Sequence, residues 1–124
     1  MNKKLLTLFA LIVFVFSCSN DTVEFKKKDI LGFWELVEAK RNGNKTDLLR
    51  GGYFYFGSTG KMATNIKGDT LNELFEVEGE LIKTLGPENM TFKVKYISKD
   101  TLKLTSKIGK SNFDFMGVRF KERR

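Results

Sequence analysis

Asp69-Thr70-Leu71-Asn72-Glu73-Leu74-Phe75-Glu76-Val77-Glu78-Gly79-Glu80-Leu81-Ile82-Lys83-Thr84-Leu85 is the stretch on which the fold turns. Read at the helical period, Leu71, Leu74, Phe75, Leu81, Ile82 and Leu85 share a face, Thr70 and Glu73 supply a capping box, and Gly86-Pro87 supplies the stop. Read at a period of two, Phe75-Glu76-Val77 and Leu81-Ile82-Lys83-Thr84 are the arms of a hairpin around Glu78-Gly79-Glu80. A mid-helix Gly79 costs about 1 kcal/mol relative to Ala, and Glu78 falls on the apolar stripe. Local rules leave both readings open.

The flanking sequence is written for strands. Met90, Phe92, Val94 and Tyr96 alternate with Thr91, Lys93 and Lys95, which is the period of a half-buried strand. Leu102 and Leu104 alternate with Lys103 and Thr105 after a turn at Ser98-Lys99-Asp100. Upstream, residues 33–40 form a first strand ended by Asn42-Gly43, a strong hairpin pair. Gly51-Gly52 swings the chain into Tyr53-Phe54-Tyr55-Phe56, Gly57-Ser58-Thr59-Gly60 turns it, and residues 61–66 return. In the last strand, residues 112–121, Phe113 and Phe115 share one parity while Val118 and Phe120 share the other. A bulge near Met116-Gly117 would restore a common inward face. The expectation is an all-β meander of short antiparallel strands.

The chain has 124 residues, no His and one Cys. These absences exclude the usual zinc constellations and any nucleophile system built on His, leaving carboxylates, Lys, Tyr and Ser as candidates for chemistry. Net charge is +7. The basic residues are mostly spread along strands, as on a solvated face, apart from Lys26-Lys27-Lys28 and the terminal Lys121, Arg123 and Arg124. Metal, cofactor and nucleic acid are not expected. Alternation turns Glu76, Glu78 and Glu80 out to solvent together, so no catalytic carboxylate pair is expected in a cleft, and the chain reads as a non-enzyme.

Residues 1–4 are a short basic start, residues 5–16 are apolar except for Thr7, and Ser17 precedes Cys18. That is the layout of an export signal, and its twelve-residue apolar run is well short of the roughly 20 needed to span a bilayer. With Val15, Ser17 and Cys18 in place, the segment resembles a bacterial lipoprotein signal. The resemblance implies removal of residues 1–17 and attachment of lipid, palmitate included, to Cys18. Residues 18–28 then form a flexible tether and residues 29–124 one domain, with a charge of +5 once Lys3 and Lys4 are gone. Ser19 in place of the inner-membrane retention Asp points to the outer membrane. Asp21-Thr22-Val23 resembles the O-glycosylation motif of some Bacteroidota, which makes Thr22 a candidate acceptor.

Gly32-Phe33-Trp34 near the start of the domain, followed by seven or so short strands and a basic last strand, resembles a lipocalin-like domain over about residues 29–121. Residues 53–62, 75–83 and 97–105 are also similar to the small lipocalin-like domains of Bacteroidota lipoproteins. The resemblance implies an up-and-down barrel of about eight strands and tips residues 69–85 towards the hairpin. It also implies that Trp34 closes one barrel end with a basic partner over its ring, Arg119 first and Arg123 second.

Such a barrel is just wide enough to be filled by its own side chains or to hold one small ligand. Phe54, Phe56, Phe92, Val94, Tyr96, Leu102, Leu104, Phe113 and Phe115 are the candidate lining, and the same residues are the core if it is filled. Two functions are expected from this. One is a lipid-anchored, monomeric envelope protein that binds or carries a small hydrophobic molecule; the other is a structural or interaction lipoprotein with a filled barrel that contacts another envelope component.

Overall fold

The computed structural model describes residues 23–47 and 49–120. The expected export signal, residues 1–17, and Cys18, Thr22 and Arg123 lie outside the described residues. One helical turn, α1 (Lys27–Ile30), leads into β1 (Gly32–Arg41), β2 (Asn44–Lys45), β3 (Tyr53–Phe56), β4 (Lys61–Thr64), β5 (Leu71–Glu78), β6 (Leu81–Thr84), β7 (Thr91–Ile97), β8 (Thr101–Ile108) and β9 (Ser111–Arg119). β1 and β3 to β9 pair in chain order, and β9 pairs back onto β1, which closes an eight-stranded antiparallel barrel. β2 is an additional short strand folded back on the end of β1. Every wall connection is up-and-down.

The deciding stretch is a hairpin. β5 pairs with β4 along one edge and β6 along the other, and its arms meet through a two-residue turn in which Gly79 has φ +62, the first position of a tight hairpin turn that only Gly takes easily. Both sheet edges are thereby satisfied, and Phe75 and Ile82 enter the core at 3% and 0% exposure. The Asn42-Gly43 turn also holds, with φ of 52 and 86.

The inward parity of each strand follows its apolar residues, with two exceptions that locate bulges. On β1, Leu36 pairs with Gly117 but Glu38 pairs with Met116, so the extra residue is Val37. The bulge expected near Met116-Gly117 therefore sits opposite, on β1. β9 keeps one parity throughout, with Phe115, Gly117 and Arg119 inward and Phe120 outward. Gly117 answers a different need: a Cβ there would lie 3.3 Å from the Trp34 Cβ. The second bulge is at Lys95 on β7, where Val94 pairs with Leu104 and Tyr96 with Lys103. It turns Tyr96 to the outer wall at 49% exposure, so Tyr96 does not line the interior.

Candidate functional site

At one end of the barrel the chain crosses before entering β1. Trp34, fully buried, donates its indole N–H to the Ile30 carbonyl of α1 at 2.8 Å. Arg119, its Cα partner across the β1–β9 pair, lays its guanidinium carbon 4.1 Å from the indole centroid. The same guanidinium donates to the carbonyls of Leu31 (2.6 Å), Asp29 (3.0 Å) and Lys99 (2.9 Å). One side chain thus stacks on the plug and ties α1 to the β7–β8 turn. Gly32 makes room, since its φ is +123 and a Cβ would lie 2.6 Å from Arg119 Nη1. The Gly-x-Trp spacing is a steric requirement of this end.

Above the plug the interior is occupied by rings. Phe54 packs edge-on to Phe92 (5.5 Å) and Phe115 (5.3 Å), Phe56 packs edge-on to Phe75 (5.3 Å), and Phe113 stacks on Phe115 (5.8 Å). Val94, Leu102 and Leu104 complete the cluster, buried to within 1%. Edge-to-face and offset contacts at these separations are the favourable ones for aromatic pairs. Of the nine candidate lining residues, seven are in this packed core. Phe113 lies at its half-buried margin, and Tyr96 is outside.

The far end is more polar. Thr64 donates to the Tyr53 carbonyl at 2.7 Å, the Met90 N–H donates to Thr84 Oγ1 at 2.6 Å, and Ser106 donates to the Thr91 carbonyl at 2.6 Å. These hydroxyls complete backbone hydrogen bonding where strands end inside the barrel. An ion pair of Lys67 with Glu88 joins the connections 65–70 and 85–90.

Glu73 is the functional candidate that grouping by residue type misses. It shares the inward parity of Leu71, Phe75 and Val77 on β5, and both carboxylate oxygens are buried without a hydrogen-bond partner among the described residues. A Cβ at Gly86 would fall on that carboxylate. The signal is the alternation itself: the parity that sends Glu76 and Glu78 outward sends Glu73 in. Glu78 and the half-buried Glu80 instead form surface ion pairs with Lys83 (2.9 Å) and Lys93 (3.3 Å), and Glu78 holds the Lys83 ammonium above its ordinary range by hydrogen bond and charge.

Grooves open on the outside of the structure. One of about 250 Å³ on the outer wall is lined by Lys40, Lys95, Lys103, Asp114 and Met116 among others. Another, of about 640 Å³, lies at the plugged end between Phe25, Lys28, Ile97 and Lys99. Among the described residues no group of three or more His, Cys, Asp or Glu could hold a metal ion, and no helix is long and apolar enough to cross a membrane. Compared with known proteins, the chain matches no family model, no curated protein sequence and no solved structure.

Proposed function

We propose that this protein is a non-enzymatic lipoprotein of the cell envelope, tethered through Cys18, whose lipocalin-like barrel is filled by its own side chains and acts through its outer surface on another envelope component. The observation that carries this reading is the ring packing: Phe54, Phe56, Phe92 and Phe115 touch one another across the interior at 5.3–6.4 Å. In an eight-stranded barrel those side chains take up the volume that a ligand would need. Exposed apolar groups lie on the outer wall instead, among them Val37, Leu74 and Tyr96.

Native mass spectrometry tests this on protein expressed with residues 1–18 and extracted gently from membranes. The expected covalent mass lacks residues 1–17 and carries lipid, and the expected non-covalent mass is bare protein. An unmodified chain sinks the anchor, and a stoichiometric adduct lost on activation sinks the filled barrel.

Glu73 favours a second reading, in which the barrel binds a small hydrophobic molecule. A carboxylate whose two oxygens are buried without a hydrogen-bond partner among the described residues is the kind of single polar handle that orients a ligand in a pocket. The ligand would then carry a hydrogen-bond-donating head and enter at the end away from Trp34.

A further inference from the structure

The barrel leaves one aromatic cluster unused, on the outer wall beside the plugged end. Phe33 stacks on Tyr53 at 5.1 Å with the rings 14° apart, and meets Phe120 edge-on at 5.7 Å. Phe120 is fixed there because its N–H donates to the Phe33 carbonyl at 2.9 Å. Tyr55 is the Cα partner of Phe33 on β3. Phe33, Tyr55 and Phe120 are 36%, 44% and 55% exposed. Single exposed apolar residues are ordinary on any surface, whereas rings that touch one another across three neighbouring chain segments form a patch.

The patch lies at the end where the chain enters the barrel. Phe25 and Lys28 share a groove there with Glu24 and Asp29 and with Ile97, Lys99 and Arg119. Cys18 stands five residues before Val23, and five residues at full extension reach at most about 18 Å. A lipid on Cys18 therefore holds this end of the barrel close to headgroups. Lys26, Lys28, Lys61 and Lys99 are exposed at this end, as are the carboxylates Glu24, Asp29 and Glu35, the last being the Cα partner of Tyr53. Aromatic rings flanked by lysines are the usual composition of a membrane interface.

The size of the patch selects the occupant. At about 200 Å² per ring, the three exposed fractions leave roughly 270 Å², well below the ~800 Å² per partner of a stable protein interface. A second copy is not held by so little surface. A bilayer to which the chain is already tied does not need more.

We propose that Phe33, Tyr55 and Phe120 rest in the headgroup region of the bilayer that holds the Cys18 lipid, so that the barrel lies with this wall against the membrane. The proposal rests on the anchored-lipoprotein reading above. It is tested with the lipidated protein in vesicles of phosphatidylethanolamine and phosphatidylglycerol, using F120W. Trp34 is fully buried, so the added indole supplies the accessible emission.

Lipids brominated near the headgroup are expected to quench that emission by roughly half, as for a ring at interfacial depth. F33S/Y55S added to F120W is expected to abolish the quenching while the circular dichroism stays that of the parent. Protein that floats with the vesicles but whose added indole is not quenched overturns the proposal and leaves the anchor standing. Quenching unchanged by F33S/Y55S overturns it too, as does an added indole shielded by a cross-linked second copy. A chain whose mass shows no lipid overturns the anchor, and this proposal with it.

Discussion

The guanidinium of Arg119 lies 4.1 Å from the centre of the Trp34 ring and at the same time reaches the carbonyls of Asp29, Leu31 and Lys99. A cation over an indole contributes roughly 0.5–2 kcal/mol depending on desolvation, and each hydrogen bond adds about 1 kcal/mol net. Arg119→Ala is therefore expected to lower stability by about 3–5 kcal/mol in urea unfolding followed by Trp34 emission. Arg119→Lys retains the charge but not the planar fork, so it should recover less than half of that loss. Full recovery by Lys would mean that charge alone matters.

Gly32 and Arg119 form a steric pair. Gly32→Ala is expected to cost about 1–3 kcal/mol, from the side chain at φ +123 and from displacement of Nη1. In an Arg119→Ala background only the backbone part remains. A double-mutant cycle should show non-additivity of at least about 0.5 kcal/mol; simple additivity would deny the contact.

Phe92→Ala probes the filled interior. Phe92 is fully buried and meets Phe54 and Phe115, so truncation should cost about 3–5 kcal/mol and leave a cavity. An apolar cavity of that kind takes up small aromatics. Benzene is expected to raise the melting temperature of Phe92→Ala and not of the parent. A parent that responds equally already has room inside.

Glu73→Met separates the two functional readings. Removing a buried carboxylate that has no hydrogen-bond partner among the described residues, in favour of a thioether of similar length, is expected to raise stability by about 1–3 kcal/mol. A filled barrel gains stability and loses nothing else. If the substitution instead eliminates a bound adduct seen by native mass spectrometry, Glu73 is a ligand anchor.

Lys83 gives a pH signature. Its ammonium is held above the ordinary value of 10.5 by the hydrogen bond and charge of Glu78, with Glu76 adding to it. A raised folded-state value means that the stabilisation is complete below 10.5 and is lost as pH rises through the higher folded value. The pair is exposed, so the effect is small. Lys83→Met should melt slightly below the parent at about pH 8, and the gap should close near pH 12.

Much of the wall was legible because a strand's faces alternate every residue and a turn's backbone demands particular residues. Alternation marked Phe54, Phe56, Phe92, Leu102, Leu104 and Phe115 as inward, and all are buried. Asn42-Gly43 marked a turn whose positive φ values the structure contains. Residues 69–85 were not decidable by such rules. Their apolar spacing fits two periods, and what excludes the helix is pairing on both edges with β4 and with β7-bound β6.

By itself, then, the sequence determined an all-β meander, its turns and the inward face of most strands, since each rests on neighbours within a few residues. Tertiary structure alone decided the bulge at Val37, the outward turn of Tyr96 and the lack of a hydrogen-bond partner, among the described residues, for the buried Glu73 oxygens. It also fixed the register of closure, in which Trp34 and Arg119, a pairing that only the family resemblance had implied, stand opposite each other although 85 positions separate them. Register across such a distance is fixed by how bulky side chains share one enclosed volume, and no local preference encodes it.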